Sequence, residues 1–415
     1  MKGLDWAVAD RRHLALGTRV KELRRERGLD QRGLAKMLKR SVSWVSQVER
    51  GEITVGDVGM LQRLAAALGV PSRELVELVL GEEAGEAERQ RPYVEVLRLA
   101  LAGHPAPRAA LGVATAEPRL MASEDPEEQV RRAWALVHAS AFAELGPVLA
   151  GLIPDLEAAS RDPIRGDRAQ TLALLADAYQ VAAAMLVKVG DRGAGWIAAD
   201  RAISAGERCG DASLVMAAQL RMAHTFVDSS DDDLALHVLR QAVEVAGSLG
   251  TDTDPGLVSL TGACALLLAV LEARRGEATE ARRHLRAAVG LARRLGEDRN
   301  DFGTEFGPTN VALHQVAVAV ELGNATEALE LADKVDASGL SAERRARFLV
   351  DVARAHTQRR AVAAAVAALT EAEMTAPAEV NDSRLVRQLL GDLEHLAAGR
   401  QMPGLRTLRR NSTHS

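Results

Sequence analysis

The chain has 415 residues, of which 47% are hydrophobic, 26% charged and only 3% aromatic, a balance that excludes a disordered or fibrous protein and a length that exceeds one ordinary core. Ala, Leu, Arg and Glu dominate, so the fold class expected is all-α. A net charge of -5, two cysteines (Cys209 and Cys264) without paired metal-ligand spacing, and no run of roughly 18 uninterrupted apolar residues exclude a disulfide scaffold and a membrane span; with no apolar run in MKGLDWAVADRRH for a signal peptide, a cytoplasmic location is expected, with no cofactor and no metal.

The first fifty residues carry most of the positive charge. From Arg11 to Arg50 there are twelve Lys or Arg against four acidic residues, which makes this end the place for a polyanion to dock; the other reading of the same charge is a solvated helix face. After an extension over 1–15, Leu16, Val20 and Leu23 fall at helical spacing and stop at Gly28. Asp30 caps a second helix carrying Leu34, Ala35 and Leu38, and Ser41 caps a third carrying Val45 and Val48 and closing at Gly51. Two more short helices are expected, Asp57 to Leu68 and Pro71 to about Leu80, completing a five-helix unit over 16–80.

The string LGTRVKELRRERGLDQRGLAKMLKRSVSWVSQVERG followed by LQRLAAALGVPSRELVEL resembles the lambda-repressor-like helix-turn-helix of the XRE family. The resemblance rests on Gln31, the Leu34-Ala35 pair, Ser41, the Val45-Ser46 step, Glu49-Arg50-Gly51, and the close from Leu64-Ala65 to Leu68-Gly69-Val70. It implies that the helix from Ser41 to Arg50 enters the major groove of double-stranded DNA with Val42, Ser43 and Gln47 on base edges. Gln47 hydrogen-bonds a base, Val42 meets a thymine methyl, and Ser43 reaches a base or a phosphate. Trp44 lies against the sugar-phosphate backbone or packs over the neighbouring helix. Gln31 and the amides opening the second helix hold a phosphate, with Arg40 and Lys39 adding unspecific affinity. The family pairs the glutamate at Glu49 with the arginine at Arg24 beneath the recognition helix. Two departures are visible: Lys39 and Arg40 stand where the family has Gly and an apolar residue, and Gly33 inside the second helix costs about 1 kcal/mol against alanine.

Residues 81–126 have linker composition, with one short helix expected from Tyr93 to Leu101. From 127 to 398 the chain repeats itself. The strings AADRAISAGERCG, LRQAVEVAGSLG and LRAAVGLARRLG align Ala202, Ala242 and Ala288 at intervals of 40 and 46 residues, and the joints RRGEATEA and ELGNATEA align at Gly276 and Gly323. Stacked antiparallel helix pairs account for this; the competing arrangement is an irregular helical bundle with Ala-rich contacts. The segments resemble tetratricopeptide repeats with a period longer than about 34 residues, which implies an α-solenoid with a concave binding surface. The string FGPTNV followed by a histidine resembles repeat-bearing regulators of actinobacteria. The tail, 399–415, reads as flexible.

Two sets of residues are candidate ligand contacts in the body. Asn310 and His314 share a helix face with Glu321, positioned to grip a ligand or to satisfy neighbouring loop carbonyls. Gln219, Arg221 and His224 form a second set, for which the alternative is a solvated face. Asp231 to Asp233 complement a helix dipole, and the run from Arg282 to Arg294 reads as a wet face.

The sequence contains no Walker loop, no GxSxG, no HExxH and no Cys/His cluster, so no enzyme is expected. The expected function is sequence-specific transcriptional regulation by a homodimer on two half-sites, with the body sensing a small molecule or peptide, holding the dimer together, or both. The alternative is a DNA-tethered scaffold whose body recruits a partner protein.

Overall fold

The computed structural model describes residues 5–38, 42–51, 63–65, 67–70, 75, 91–103, 125–162, 167–228, 231–249, 254–381, 383–397 and 402–413. The chain divides into two compact units, Met1–Pro92 and Tyr93–Ser415. The described residues are overwhelmingly helical, their one β-like feature being an isolated bridge between Arg299 and Phe306.

In the first unit α1 (Asp5–Glu26), α2 (Gln31–Leu38) and α3 (Val42–Glu49) follow one another. The first helix begins at Asp5, so much of the expected N-terminal extension is helical. Leu16, Val20 and Leu23 from α1 meet Leu34, Ala35 and Leu38 from α2 and Val45 and Val48 from α3, with Leu64, Leu68 and Leu75 closing the core. α1 stops where expected: Leu29 N–H donates to Arg24 O at 3.0 Å beyond Gly28, and Asp30 Oδ1 accepts from Gly33 N–H at 2.6 Å to open α2. Gly17 lets α1 and α3 touch, because a Cβ there would lie 2.4 Å from Val48 O. Most of the two later helices expected here, and Lys39, Arg40 and Ser41, lie outside the described residues.

The second unit opens with α4 (Pro92–Ala102). Val94, Leu97 and Leu101 are buried in the body's first core, and Arg98 Nε bonds Asp191 Oδ2 at 2.5 Å. The short helix expected between head and body, free to pack on either neighbour, packs on the body through its i, i+3, i+7 apolar stripe.

Helix pairs follow: α5 (Pro126–His138) with α6 (Phe142–Ala159), α7 (Arg168–Lys188) with α8 (Arg192–Cys209), α9 (Ala212–Asp228) with α10 (Asp232–Leu249), α11 (Pro255–Arg274) with α12 (Ala278–Leu295), α13 (Pro308–Glu321) with α14 (Ala325–Ala332), and α15 (Ala342–Gln358) with α16 (Val362–Thr375). Asp125, Asp167, Asp254 and Ser341 cap their helices with side-chain oxygens, and Pro126, Pro255 and Pro308 stand in first turns. The odd-numbered helices pack successively as an inner layer, α5 on α7, α7 on α9, α9 on α11, α11 on α13 and α13 on α15. The aligned Ala202, Ala242 and Ala288 are all buried on the outer helices, where the missing side chain lets each outer helix approach its partner. Two inner helices, α7 and α11, are long and apolar enough to cross a membrane; 61% and 83% of their apolar windows are buried inside the body, as core helices require.

Three features close this array on itself. α15 returns to contact α5. Lys188, at the end of α7, bonds Glu343 of α15 at 2.7 Å and Glu379 of α17 (Pro377–Asn381) at 2.6 Å. The loop between α12 and α13 fills the interior: Phe302 packs among residues of two core clusters, Phe306 lies over Gly262, and Gly303 lies under the ring of Trp134.

The body ends in α18 (Arg384–Ala397) and α19 (Pro403–Thr413). The expected flexible tail is thus a helix over most of its length. Leu405 and Leu408, one turn apart, are buried with residues of α16 and α18, which holds the segment down despite its basic surface.

Candidate DNA-reading helix and body cavity

In α3 the apolar pair Val45 and Val48 points into the core, which turns Gln47 outward and half-buried and leaves Val42 at the helix start 43% exposed. The orientation of α3 is fixed from below. Arg24 Nε donates to Glu49 Oε1 at 2.5 Å and its Nη2 to Oε2 at 3.0 Å, while Nη1 reaches Leu29 O at 2.7 Å. The hydrogen bond that Arg24 donates to Glu49 raises the Arg24 pKa. Burial works against the Glu49 carboxylate, but the Arg24 and Gln31 hydrogen bonds hold its pKa below the usual range.

Gln31 Nε2 donates to Glu49 Oε2 at 2.9 Å. Its side chain thus has a partner within the head that the sequence alone does not give it, and it ties α2 to α3. Trp44 is half-buried and packs against the head core, leaving part of its ring exposed. The Ser43 side chain, like Arg40 and Ser41, lies outside the described residues.

In the body, both candidate ligand sets reach one place. Arg221 and His224 from α9, Asn310 and His314 from α13, Arg344 from α15 and Thr304 from the interior loop line a partly enclosed cavity of about 30 Å³ over an apolar floor that includes Leu220 and Leu266. Asn310 is 2% and Arg221 8% exposed, so the solvated-face alternative fails for Arg221. Gln219, half-buried on the same helix, does not line the cavity. Glu321 is also elsewhere, paired with Arg274 at 3.2 Å and with Arg354 at 3.1 Å. About three helical turns separate it from Asn310, so it keeps nearly the same face but stands roughly 16 Å further along the helix axis.

The electrostatics are cationic. Arg221 Nη2 donates to Phe302 O at 2.8 Å and Gly303 O at 3.0 Å, and its guanidinium lies 4.9 Å from the centroid of Trp134. Burial, reinforced by Arg344, lowers its pKa to about 10, which leaves it charged at neutral pH. Arg344 donates to Glu305 Oε2 at 3.3 Å and to Thr304 O at 3.0 Å. Burial and the nearby arginines push His224 well below its ordinary pKa and His314 down to about 3, so both rings are neutral. The His314 Nδ1 atom lies 2.9 Å from Asn310 O; a carbonyl only accepts, so Nδ1 carries the proton and Nε2 is left as an acceptor. The carbonyl belongs to the same helix, four residues back, and not to a neighbouring loop. Asn310 Oδ1 and Arg221 Nε are buried with no hydrogen-bond partner among the described residues.

Behind the cavity, His138, Glu305 and Glu343 offer ligand atoms within 4.8 Å of one another. Their charges are already matched: Lys188 bonds Glu343, Arg344 and Ser341 bond Glu305, and His138 Nδ1 lies 3.5 Å from Glu305 and 3.8 Å from Glu343. Although burial opposes it, Lys188 holds the Glu343 carboxyl well below its ordinary pKa. Sequence reasoning missed Arg344, Thr304 and Trp134. Arg344 sits in the charged string SAERRAR, whose spacing alone does not distinguish an inward arginine from its neighbours.

Residues 15–79 match a family described as a helix-turn-helix domain; the head is therefore a helix-turn-helix domain. Among solved structures the chain is similar to Bacillus thuringiensis PlcR, crystallised in complex with the peptide PapR7 and DNA, at 17% identity over 68% of this chain and 96% of that chain, with a TM-score of 0.30. No curated protein matches the chain.

Proposed function

We propose that this chain is a cytoplasmic, sequence-specific DNA-binding regulator of transcription whose helical body senses a small molecule or peptide. The observation that carries the first half is the helix-turn-helix domain with α3 locked by Arg24 and Glu49 and presenting Val42 and Gln47 outward. Buried polar groups from separate helices converging on one cavity support the second half. The assigned organisation is the domain order of the sequence reading, with α4 joined to the body. Arg40, Ser41, Val42, Ser43, Trp44 and Gln47 are the proposed DNA-contacting set, with Gln31 acting through Glu49 and its own backbone amide, and a homodimer engages two half-sites.

The test is capture of genomic fragments at fixed salt by the full chain and by a Val42, Ser43 and Gln47 triple-alanine variant. Enrichment of a two-fold symmetric site that the variant loses supports the reading. If both proteins enrich the same fragments, α3 does not read bases. Gln47→Ala alone is expected to cost about 1 to 3 kcal/mol on the enriched site and little on random DNA.

The second reading is a DNA-tethered scaffold that recruits a protein through the body. Leu234 and Val245 on α10 and Trp196 and Ile197 on α8, all at least 45% exposed, favour it. Co-purification of a partner that Trp196→Ala and Ile197→Ser abolish would separate it from ligand sensing.

A further inference from the structure

Arg221 lacks what a buried guanidinium ordinarily has. No carboxylate lies within ion-pair distance of it among the described residues; it is held by two loop carbonyls and the face of Trp134, with Nε unpartnered. Of the carboxylates nearby, Glu305 is taken by Arg344 and Ser341 and Glu343 and Glu379 by Lys188, while buried Asp177 acts on Arg221 only from beyond ion-pair distance and accepts from Gln180 Nε2 at 3.4 Å. The cavity lining beside Arg221 contains a second guanidinium, two histidines, Asn310 and Thr304, and no acidic group. An anion completes this arrangement.

The same cavity also wants a hydrogen-bond donor. Asn310 Oδ1 is buried without a partner, and His314, committed through Nδ1–H to Asn310 O, presents only an acceptor at Nε2. A bare carboxylate satisfies Arg221 and leaves both acceptors unmet. An ammonium would satisfy the acceptors but would sit beside two guanidiniums. A neutral O–H or N–H meets both demands. A volume of about 30 Å³ is room for about two waters, so the cavity seats the polar end of a molecule and not its bulk.

We propose that the cavity binds the carboxylate of a ligand that carries a neutral hydroxyl or amide hydrogen next to it, as a 2-hydroxy acid or the carboxyl end of a peptide does. Arg221 holds the carboxylate; Asn310 Oδ1 and His314 Nε2 accept from the neighbouring donor. This rests on the ligand-sensing reading above and names the chemistry of its site.

The experiment is calorimetric titration of the full-length protein, at constant ionic strength, with sodium glycolate, N-acetylglycine, acetate, acetamide and glycine. The expected result is saturable binding of glycolate, N-acetylglycine or both, at least about tenfold tighter than acetate, and none of acetamide or glycine. Glycolate alone identifies a free hydroxy acid as the source, and N-acetylglycine alone a peptide end. Arg221→Gln abolishes binding. Should that variant not fold, Asn310→Leu decides: it removes one of the two acceptors and so narrows the preference over acetate. Absence of saturable binding by both hydroxy and acylamino probes, binding of all five compounds alike, or an Asn310→Leu variant that keeps the preference undiminished overturns the proposal. The genomic capture run on the same preparation separates the two levels. Enriched DNA without carboxylate binding removes the subsite alone, while carboxylate binding without enriched DNA removes the regulator.

Discussion

Replacing Glu49 by methionine tests whether the buried pair beneath α3 sets the geometry of the head. Arg24 and Glu49 are 8% and 6% exposed, and the arginine makes two of its three observed hydrogen bonds to the carboxylate. Removing one partner of a buried pair costs about 3 to 5 kcal/mol. Because Arg24 keeps its bond to Leu29 O, and a water can follow it in, the low end, about 3 kcal/mol, is expected. Converted at about 1.4 kcal/mol per decade, that is roughly a hundredfold faster opening of the head. Hydrogen exchange read by mass spectrometry on peptides covering 16–26 and 42–51 of the full chain measures it directly, with peptides from α7 and α11 as internal controls. The Arg24→Met, Glu49→Met double variant should regain most of the protection, since an apolar pair of similar volume leaves no charge stranded. Unchanged protection in the single variant, or a double variant as labile as the single, would refute the reasoning.

Three further outcomes are expected. Burial raises the Asp177 pKa from an ordinary 3.8 to about 6; the folded state therefore binds the proton more tightly than the unfolded one, and this group's contribution, full below about pH 4, is lost as the pH rises through 6. Asp177→Asn should stabilise the body by about 3 kcal/mol at pH 8 and leave it unchanged near pH 4, and equal urea midpoint shifts at the two pH values would contradict this. Gly303→Ala places a Cβ 2.7 Å from the Trp134 ring at φ +65°, and should cost about 2 kcal/mol or more, read as a lowered midpoint of thermal unfolding by circular dichroism. Leu408→Ala should cost about 2 to 5 kcal/mol if α19 is packed as described, and a neutral result would return that segment to a frayed tail.

The elements and their pairing were legible because local physics writes them into the chain. Leu16, Val20 and Leu23 mark the core face of α1, and the aligned Ala202, Ala242 and Ala288 mark outer helices drawn close to inner ones. The start of α1 and the fate of α19 were not legible, since an Arg-rich amphipathic stretch reads alike whether its apolar stripe is covered or not. In the cavity, Asn310 and His314 were visible as polar residues at i, i+4 on an otherwise apolar helix. Their meeting with Arg221 and Arg344 depends on how the array curves, a property summed over many helix crossings and encoded at no single position. Gln219 was drawn in by sequence proximity to Arg221, but two residues along a helix point about 200° apart.

The tie between α7 and the last helix pairs changes how the body comes apart. Linear repeat arrays behave as chains of nearest-neighbour couplings and fray from their termini. Lys188 and Glu379 are 191 positions apart, and Ser140 reaches the same glutamate from 239 positions away, at 3.4 Å. Between the clasped residues the array has no free end from which to melt; α4 before them and α18 and α19 after them lie outside the clasp. The clasped array should unfold in one cooperative step and fold slowly, since the longest chain closure must be completed before any clasp contact forms. A module deleted from the middle would then cost more than its own share, because it also opens the clasp.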